Sequence, residues 1–437
     1  MLSIILVASI AVAVVLGYKT KINTGFFCIA FAYLIGCFGM GIKTKELISF
    51  WPVSTMFVIL SVSLFYNFAA VNGTLEKMSA SLLYMCRRFP GMLPFALFFV
   101  AVVLSVMGAA YFTVLAFLAP ITILICEEAK MDKLTGAVAI NCGALAGGNF
   151  PTSNLGVIFR GLADTAFEAS PDVAAVETFG MEMKIFLFSV LFSLVLVTIF
   201  RFGFKENRNI GKGVTFKKPE AFTKDQKITL SLMMIMMVVV LIFPLMQILM
   251  PGNAAIQYIS SKVDVGLVAI VFAVIALLLK LAPQKEALAK IPWNTIVMIA
   301  GAGMLIAVAV EAGTIDALST WIGSNVPKPL VPIAFSIVGA IMSFFSSTTG
   351  VVAPALFPLI PNLAASAGLT FSALFACTII GAQSSAISPF SSGGSLILGS
   401  TPKEEDRNML FNRLLMVAVP ISVLFGAVYN FALAMVL

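Results

Sequence analysis

Apolar residues fill long unbroken runs along this chain, separated by short polar joints. The runs stand near 2–17, 24–42, 53–71, 134–160, 184–203, 228–250, 265–282, 293–312, 371–399 and 410–435. A helix of roughly 20 apolar residues crosses the hydrocarbon core of a bilayer. The pattern therefore predicts ten spanning helices in an all-α integral membrane protein.

The polar joints repeat. Residues 22–79 return about 240 positions later as 263–319: Ile22-Asn23-Thr24-Gly25 answers Val263-Asp264-Val265-Gly266, and Lys45-Glu46 answers Lys285-Glu286. Gly73-Thr74-Leu75-Glu76 answers Gly313-Thr314-Ile315-Asp316, with Ser79 opposite Ser319. A hydrophobic chain duplicated in this way has the layout of a carrier built from two halves. The expected division is a first repeat over 1–204, a linker over 205–227 and a second repeat over 228–437, each repeat with five spans.

Composition agrees. At 60% hydrophobic and 11% charged residues, the chain lies far from a soluble domain, which carries about 25% charge. The first run has no Lys or Arg before it and Lys19 and Lys21 after it, the reverse of a secretory leader, so it is expected to remain in the chain. The six cysteines lack paired spacing and read as small buried hydrophobes. Histidine is absent, which removes the usual general base and proton relay and disfavours membrane hydrolases.

Threading the ten helices with residues 201–227 on the cytoplasmic side puts 21 of the 27 basic residues inside, leaving Lys43, Lys45, Arg160, Lys184, Lys262 and Lys328 outside. That is the bias expected of cytoplasmic loops. Both termini then lie outside, as does the acidic stretch Asp164, Glu168, Asp172, Glu177 and Glu182. The net charge of +7 follows from orientation in the membrane and calls for no nucleic-acid partner.

Two apolar blocks do not fit the count as further crossings. Met92–Cys126 is interrupted at Met107-Gly108-Ala109-Ala110 and is expected to close at Pro120. The block 330–365 is interrupted at Ser346-Ser347-Thr348-Thr349-Gly350 and is expected to close at Pro354, Pro358 and Pro361. Each is predicted to be a re-entrant hairpin, whose tip is a default binding site because open backbone at membrane depth must line protein or a water-filled cavity.

The next span of each half is also interrupted, at Ala146-Gly147-Gly148-Asn149-Phe150-Pro151-Thr152-Ser153-Asn154-Leu155-Gly156 and at Gln383-Ser384-Ser385-Ala386-Ile387-Ser388-Pro389-Phe390-Ser391-Ser392-Gly393-Gly394. Proline deletes a donor and glycine permits the open backbone that follows. These breaks, within about 134–162 and 371–399, free carbonyls that can replace a cation's water shell, and N–H groups that face anions.

The two break motifs and the repeat layout resemble the MatC-like dicarboxylate carriers, near the divalent anion:sodium symporter family of the ion-transporter superfamily. The resemblance implies a homodimeric elevator-type secondary carrier of small dicarboxylates, of malonate or four-carbon type, coupled to sodium, with no other cofactor. Substrate would meet Gly108, Ala109, Ala110, Thr113, Asn154, Ser347, Thr348, Thr349, Ser391 and Ser392. Sodium would be held among Asn149, Thr152, Ser153, Asn154, Ser346, Ser388, Ser391 and Ser392. The chain departs from the family at both tips: asparagine is missing at the second, and Gly108-Ala109-Ala110-Tyr111-Phe112-Thr113 forms the first, leaving backbone N–H groups and Tyr111 or Thr113 to replace polar side chains. Proton coupling, Na+/H+ antiport and oxyanion export within the same superfamily are the alternatives. No acid in the threading falls at membrane depth, which favours sodium.

Overall fold

A computed structural model describes residues 2–20, 22–85, 90–170, 172–174, 176–204, 207, 218–250, 253–260, 262–344, 347–401 and 403–436. These residues are helical throughout, without a strand among them. The first half comprises α1 (Leu2–Thr20), α2 (Thr24–Tyr33, running on as a π turn to Gly39), α3 (Thr44–Ser49), α4 (Val53–Val71), α5 (Thr74–Met85), α6 (Leu93–Val106), α7 (Tyr111–Ala129), α8 (Lys133–Gly148), α9 (Asn154–Glu168) and α10 (Thr178–Gly203). The second half opens with α11 (Lys224–Leu249), α12 (Ala254–Ser260), α13 (Val265–Leu278), α14 (Gln284–Ala289), α15 (Trp293–Glu311), α16 (Thr314–Asn325) and α17 (Val331–Phe344). It closes with a π turn (Thr348–Val352), α18 (Ala353–Leu356), α19 (Ile360–Ala367), α20 (Phe371–Ser384), α21 (Ser392–Gly399), α22 (Glu404–Arg413) and α23 (Val419–Val436).

Among the described residues, four continuous helical runs have the length and apolarity to cross a membrane: Tyr111–Ala129, Thr178–Gly203, Thr348–Ala367 and Glu404–Val436. Helices α1, α4, α11 and α15 are 19, 19, 26 and 19 residues long. Outward-facing side chains such as Ile4, Phe38, Leu278 and Val436 are large, apolar and exposed, a surface suited to lipid.

Repeated residues occupy repeated places. Gly73 and Gly313 both take positive φ, at +78° and +65°, and end α4 and α15 in the left-handed turn that only glycine adopts without strain. The Gly-Thr-x-acid echo thus marks the starts of two amphipathic helices, α5 and α16, that lie outside the ten predicted spans. The halves then pack crosswise. Helix α2 lies on α15 and α13 on α4, while α1 also meets α15 and α11 meets α4. At these crossings Gly25 is pressed against Val297 and Met298, and Gly266 against Val58. Absent side chains let the backbones approach, as at helix crossings in lipid.

A second group holds the hairpins and breaks. Helix α6 packs along α8, and α17 along α20. Gly143 lies against Phe98 and Ala101, and Gly147 against Val102 and Ser105, so α6 and α8 run in parallel. Likewise Gly381 lies against Ser336, and Ser385 Oγ donates to the Ala340 carbonyl at 2.7 Å. Because α8 follows α7 directly, parallel α6 and α8 bring both ends of the first block to one end of the bundle. There Arg201 donates to the Gly91 carbonyl (3.2 Å) and the Asn207 carbonyl (2.8 Å), while Asp132 N–H donates to Asn207 Oδ1 (3.1 Å). The second block obeys the same rule at the opposite end, where Phe167 at the close of α9 meets Phe371 and Phe375 at the start of α20.

Two expectations need correction. Pro120 does not close the first block but lies inside α7, which continues to Ala129. Pro354, Pro358 and Pro361 likewise sit within a helical run that continues to Ala367 through 3-10 and π turns. Each of these three prolines stands in the first turn of its short helical piece, where its missing donor costs nothing. The second arms are therefore longer than half-helices, at 19 residues for Tyr111–Ala129 and 20 for Thr348–Ala367. Of the linker, residues 205, 206 and 208–217 lie outside the described residues; α11 begins with a capping box formed by Thr223 and Gln226.

Candidate functional site

The two breaks have one local geometry. In the first, Ser153 Oγ donates to the Gly148 carbonyl and, at 2.8 Å, to that of Phe150. In the second, Ser391 Oγ donates to Ala386 (2.5 Å) and Ser388 (2.8 Å). Gly156 and Gly394 press on the carbonyls of Phe150 and Ser388 in the same way. Proline at 151 and 389 stops each incoming helix, and the serine hydroxyl two residues later satisfies carbonyls that the stop orphans.

The hairpin tips turn beside these breaks. Gly108 has φ +92° with the Tyr66 ring against it, and Ala110 is the N-cap of α7. At the other tip Ser347 is the N-cap of the π turn; its Oγ accepts from Gly350 N–H (3.3 Å) and meets Thr349 Oγ1 at 3.1 Å. Ser343 and Thr348 share a hydroxyl contact of 3.1 Å.

Tips and breaks enclose two adjoining cavities. One is lined by Ala110, Tyr111, Asn154, Ser347, Thr348, Thr349, Gln383, Ser391 and Gly393 among others. Its neighbour, of about 230 Å3, is lined by Ser63, Tyr66, Asn67, Gly108, Ala109, Ala110, Thr113, Asn154 and Lys290 among others. Ala110, Phe112, Asn154 and Pro292 belong to both walls. Nine of the residues expected to meet substrate therefore line these two adjoining cavities: Gly108, Ala109, Ala110, Thr113, Asn154, Ser347, Thr348, Thr349 and Ser391.

Four helical N-termini open onto that space, beginning at Tyr111, Asn154, Thr348 and Ser392. Their first N–H groups have no partner within the helix, and each carries the positive end of a helix dipole. The incoming helices α6, α8, α17 and α20 end nearby with their carbonyls. An anion and a cation can thus share the centre without a fixed charge among the tips and breaks.

The residues expected to hold sodium are more dispersed. Asn149 Nδ2 donates to Ser189 Oγ (2.8 Å) and Gln383 Oε1 (3.0 Å), and its Oδ1 accepts from Gln383 Nε2 (2.8 Å), which uses both donors and leaves the oxygen one lone pair. Ser388 Oγ accepts from Phe390 N–H at 3.2 Å. Thr152 Oγ1 is buried without a hydrogen-bond partner among the described residues, which leaves it open to a ligand. Ser346 lies outside the described residues, and Ser392 is described only as the first residue of α21.

Several residues at or near the centre escape a reading of motifs alone. Tyr111 hydroxyl donates to buried Asn141 Oδ1 at 2.6 Å and packs on Gly393, tying the first tip to the second break. Gln383 was legible as the head of the second break, but its pairing with Asn149 was not. Glu182 reads from sequence as an exposed acid, yet it is 1% exposed and both its carboxylate oxygens lack a hydrogen-bond partner among the described residues. Glu182 lies within electrostatic reach of Arg160, which donates to the Pro151 carbonyl of the break at 3.4 Å.

Comparison with known proteins agrees with this layout. Residues 1–148 match the family model of the dicarboxylate carrier protein MatC N-terminus, and residues 255–436 match that of the citrate transporter family. Both are families of transporters, not enzymes. The fold resembles the YdaH transporter of Alcanivorax borkumensis, described as having an unusual topology, at 15% identity and a TM-score of 0.61 over 89% of this chain and 86% of that one. It also resembles MtrF of Neisseria gonorrhoeae, described within a class of antimetabolite efflux pumps, at 15% identity and a TM-score of 0.56 over 92% and 83%. No curated protein sequence matches the chain.

Proposed function

From the premise that this chain is a multi-pass membrane transporter with a MatC-type N-terminal domain and a citrate-transporter C-terminal domain, we propose that it is a secondary carrier of small dicarboxylates. The observation that carries the reading is the convergence of four helical N-termini on one cavity. Two carboxylates need several N–H donors, and helix starts supply them already desolvated and aimed. Ser347, Thr348, Thr349, Asn154 and Ser391 add side-chain contacts, while the first tip contributes backbone at Gly108, Ala109 and Ala110. Malonate and four-carbon diacids are the favoured substrates, with citrate the larger candidate.

In this reading the chain is two inverted repeats, each with five spans and one re-entrant hairpin. The opposed entry of the two blocks supports it, and so does the crosswise packing of α2, α4, α13 and α15. Sodium couples transport, held by neutral oxygens beside the substrate, whose negative charge completes its site. Buried, unpartnered Thr152 Oγ1 supports a ligand at the first break. The helices separate into a crosswise scaffold and a hairpin-and-break group, which supports an elevator motion. The homodimer rests on the family resemblance. The linker and the mouth beside Lys290 face the cytoplasm, and both termini lie outside.

The test is uptake of labelled malonate, succinate and citrate into liposomes holding the purified protein, with and without a sodium gradient. Uptake of a dicarboxylate, faster with sodium outside, is expected. Flat uptake across the panel rejects the substrate class; uptake indifferent to sodium but driven by a proton gradient replaces the coupling ion.

A further inference from the structure

Every contact so far offered to an anion is neutral, yet a dicarboxylate carries two charges. Among the described residues lining the two adjoining cavities, Lys290 is the one with a charged side chain. It follows α14 as its C-cap, and the end of α14 is held in place by Asn67 Nδ2, which donates to the Ala287 carbonyl at 3.0 Å. Asn67 lines the same wall, as do Gly108, Ala109 and Ala110 of the first tip. The ammonium is exposed and stands at the mouth, on the side of the bundle where Gln226 Nε2 donates to the Asn72 carbonyl at 3.1 Å.

The internal repeat sharpens the point. Counting from Lys45-Glu46 and Lys285-Glu286, Pro292 answers Pro52, and the residue that answers Lys290 is Phe50. A cation has been placed at one of two equivalent positions, and that position borders the cavity.

Resting on the dicarboxylate reading above, we propose that Lys290 is a second carboxylate-binding element. It takes the distal carboxylate of a dianion at the mouth while the tip and helix-start amides take the proximal one. Lys290 thereby selects diacids over monoacids and draws them in from the linker side. An ammonium on a flexible stem suits this role, since it supplies charge and three donors without demanding one approach geometry. Opposite charges attract strongly only where water is partly excluded, and attraction at a mouth weakens with salt.

The experiment compares wild type, Lys290→Gln and Lys290→Arg, each first shown to elute as a single species with an unchanged unfolding temperature without ligand. Binding of succinate and of butyrate is measured by calorimetry at low and high salt. Wild type is expected to prefer succinate, and Lys290→Gln to weaken succinate binding about tenfold or more, leave butyrate nearly unchanged and flatten the salt dependence. Lys290→Arg should recover most of the preference. Undiminished preference for succinate in Lys290→Gln overturns this inference alone. A wild type that binds none of the carboxylates, citrate and malonate included, removes the transport reading and this one with it.

Discussion

Asn149 and Gln383 exchange two amide hydrogen bonds, Nδ2 to Oε1 at 3.0 Å and Nε2 to Oδ1 at 2.8 Å, across the interface between the two broken helices. Each is buried, and neither amide has water to fall back on. Removing one partner strands the other. Asn149→Ala or Gln383→Ala should each cost about 2 kcal/mol, and the double change less than the sum, read as thermal unfolding in detergent. Two unchanged unfolding temperatures would mean that the pair does not join the halves.

Gly108 turns the first tip at φ +92° with the Tyr66 ring where a side chain would go. Gly108→Ala should abolish substrate binding and lower stability by more than 1 kcal/mol, because strain and overlap act together. Gly91, which has open space around it, is the control, and Gly91→Ala should bind as wild type does.

Thr348 and Ser391 separate binding from capping. Thr348 Oγ1 meets Ser343 Oγ at 3.1 Å, whereas Ser391 Oγ also accepts from Gly394 N–H at 3.3 Å and so caps α21. Thr348→Ala should raise the substrate or sodium concentration needed for half-maximal uptake without loss of stability. Ser391→Ala should do the same and lose about 1 kcal/mol besides. Uptake kinetics unchanged in both variants would move the site elsewhere.

Asp132, 3% exposed in its side chain, receives Arg413 Nη1 at 2.5 Å and Nη2 at 3.0 Å, joining the start of α8 to the end of α22. Arg413→Ala leaves a buried carboxylate without its cation and should cost about 3 kcal/mol, measured by denaturation. Arg413→Lys should recover part of the loss, since it keeps charge but not the fork. Equal stability of all three proteins would show the pair to be dispensable.

Glu182 is the reverse case. A buried carboxyl with no hydrogen-bond partner among the described residues is an expense to the fold, so Glu182→Leu should raise stability by about 1 kcal/mol. A fall in unfolding temperature would show that its attraction to Arg160 is worth more than burial costs.

Taken by itself, the sequence determined the all-helical membrane class, the two interrupted blocks and the two breaks. Hydrophobic run length, proline and glycine act locally, so their consequences can be read along one dimension. Gly108, Thr113, Asn154, Thr348 and Ser391 were legible as candidates for the same reason, since each sits at or beside an interruption, and all five line the two cavities. Tertiary structure alone decided which of those oxygens are free. Asn149, offered by sequence as a cation ligand, exchanges hydrogen bonds with Gln383 and donates to Ser189, residues far away in the chain. It also decided that Pro120 lies inside a continuing helix, that Glu182 is buried, and that exposed Lys290 borders the cavity. Hydrogen-bond partnership, burial and proximity of charge depend on what another helix brings to the same point, and only packing supplies that.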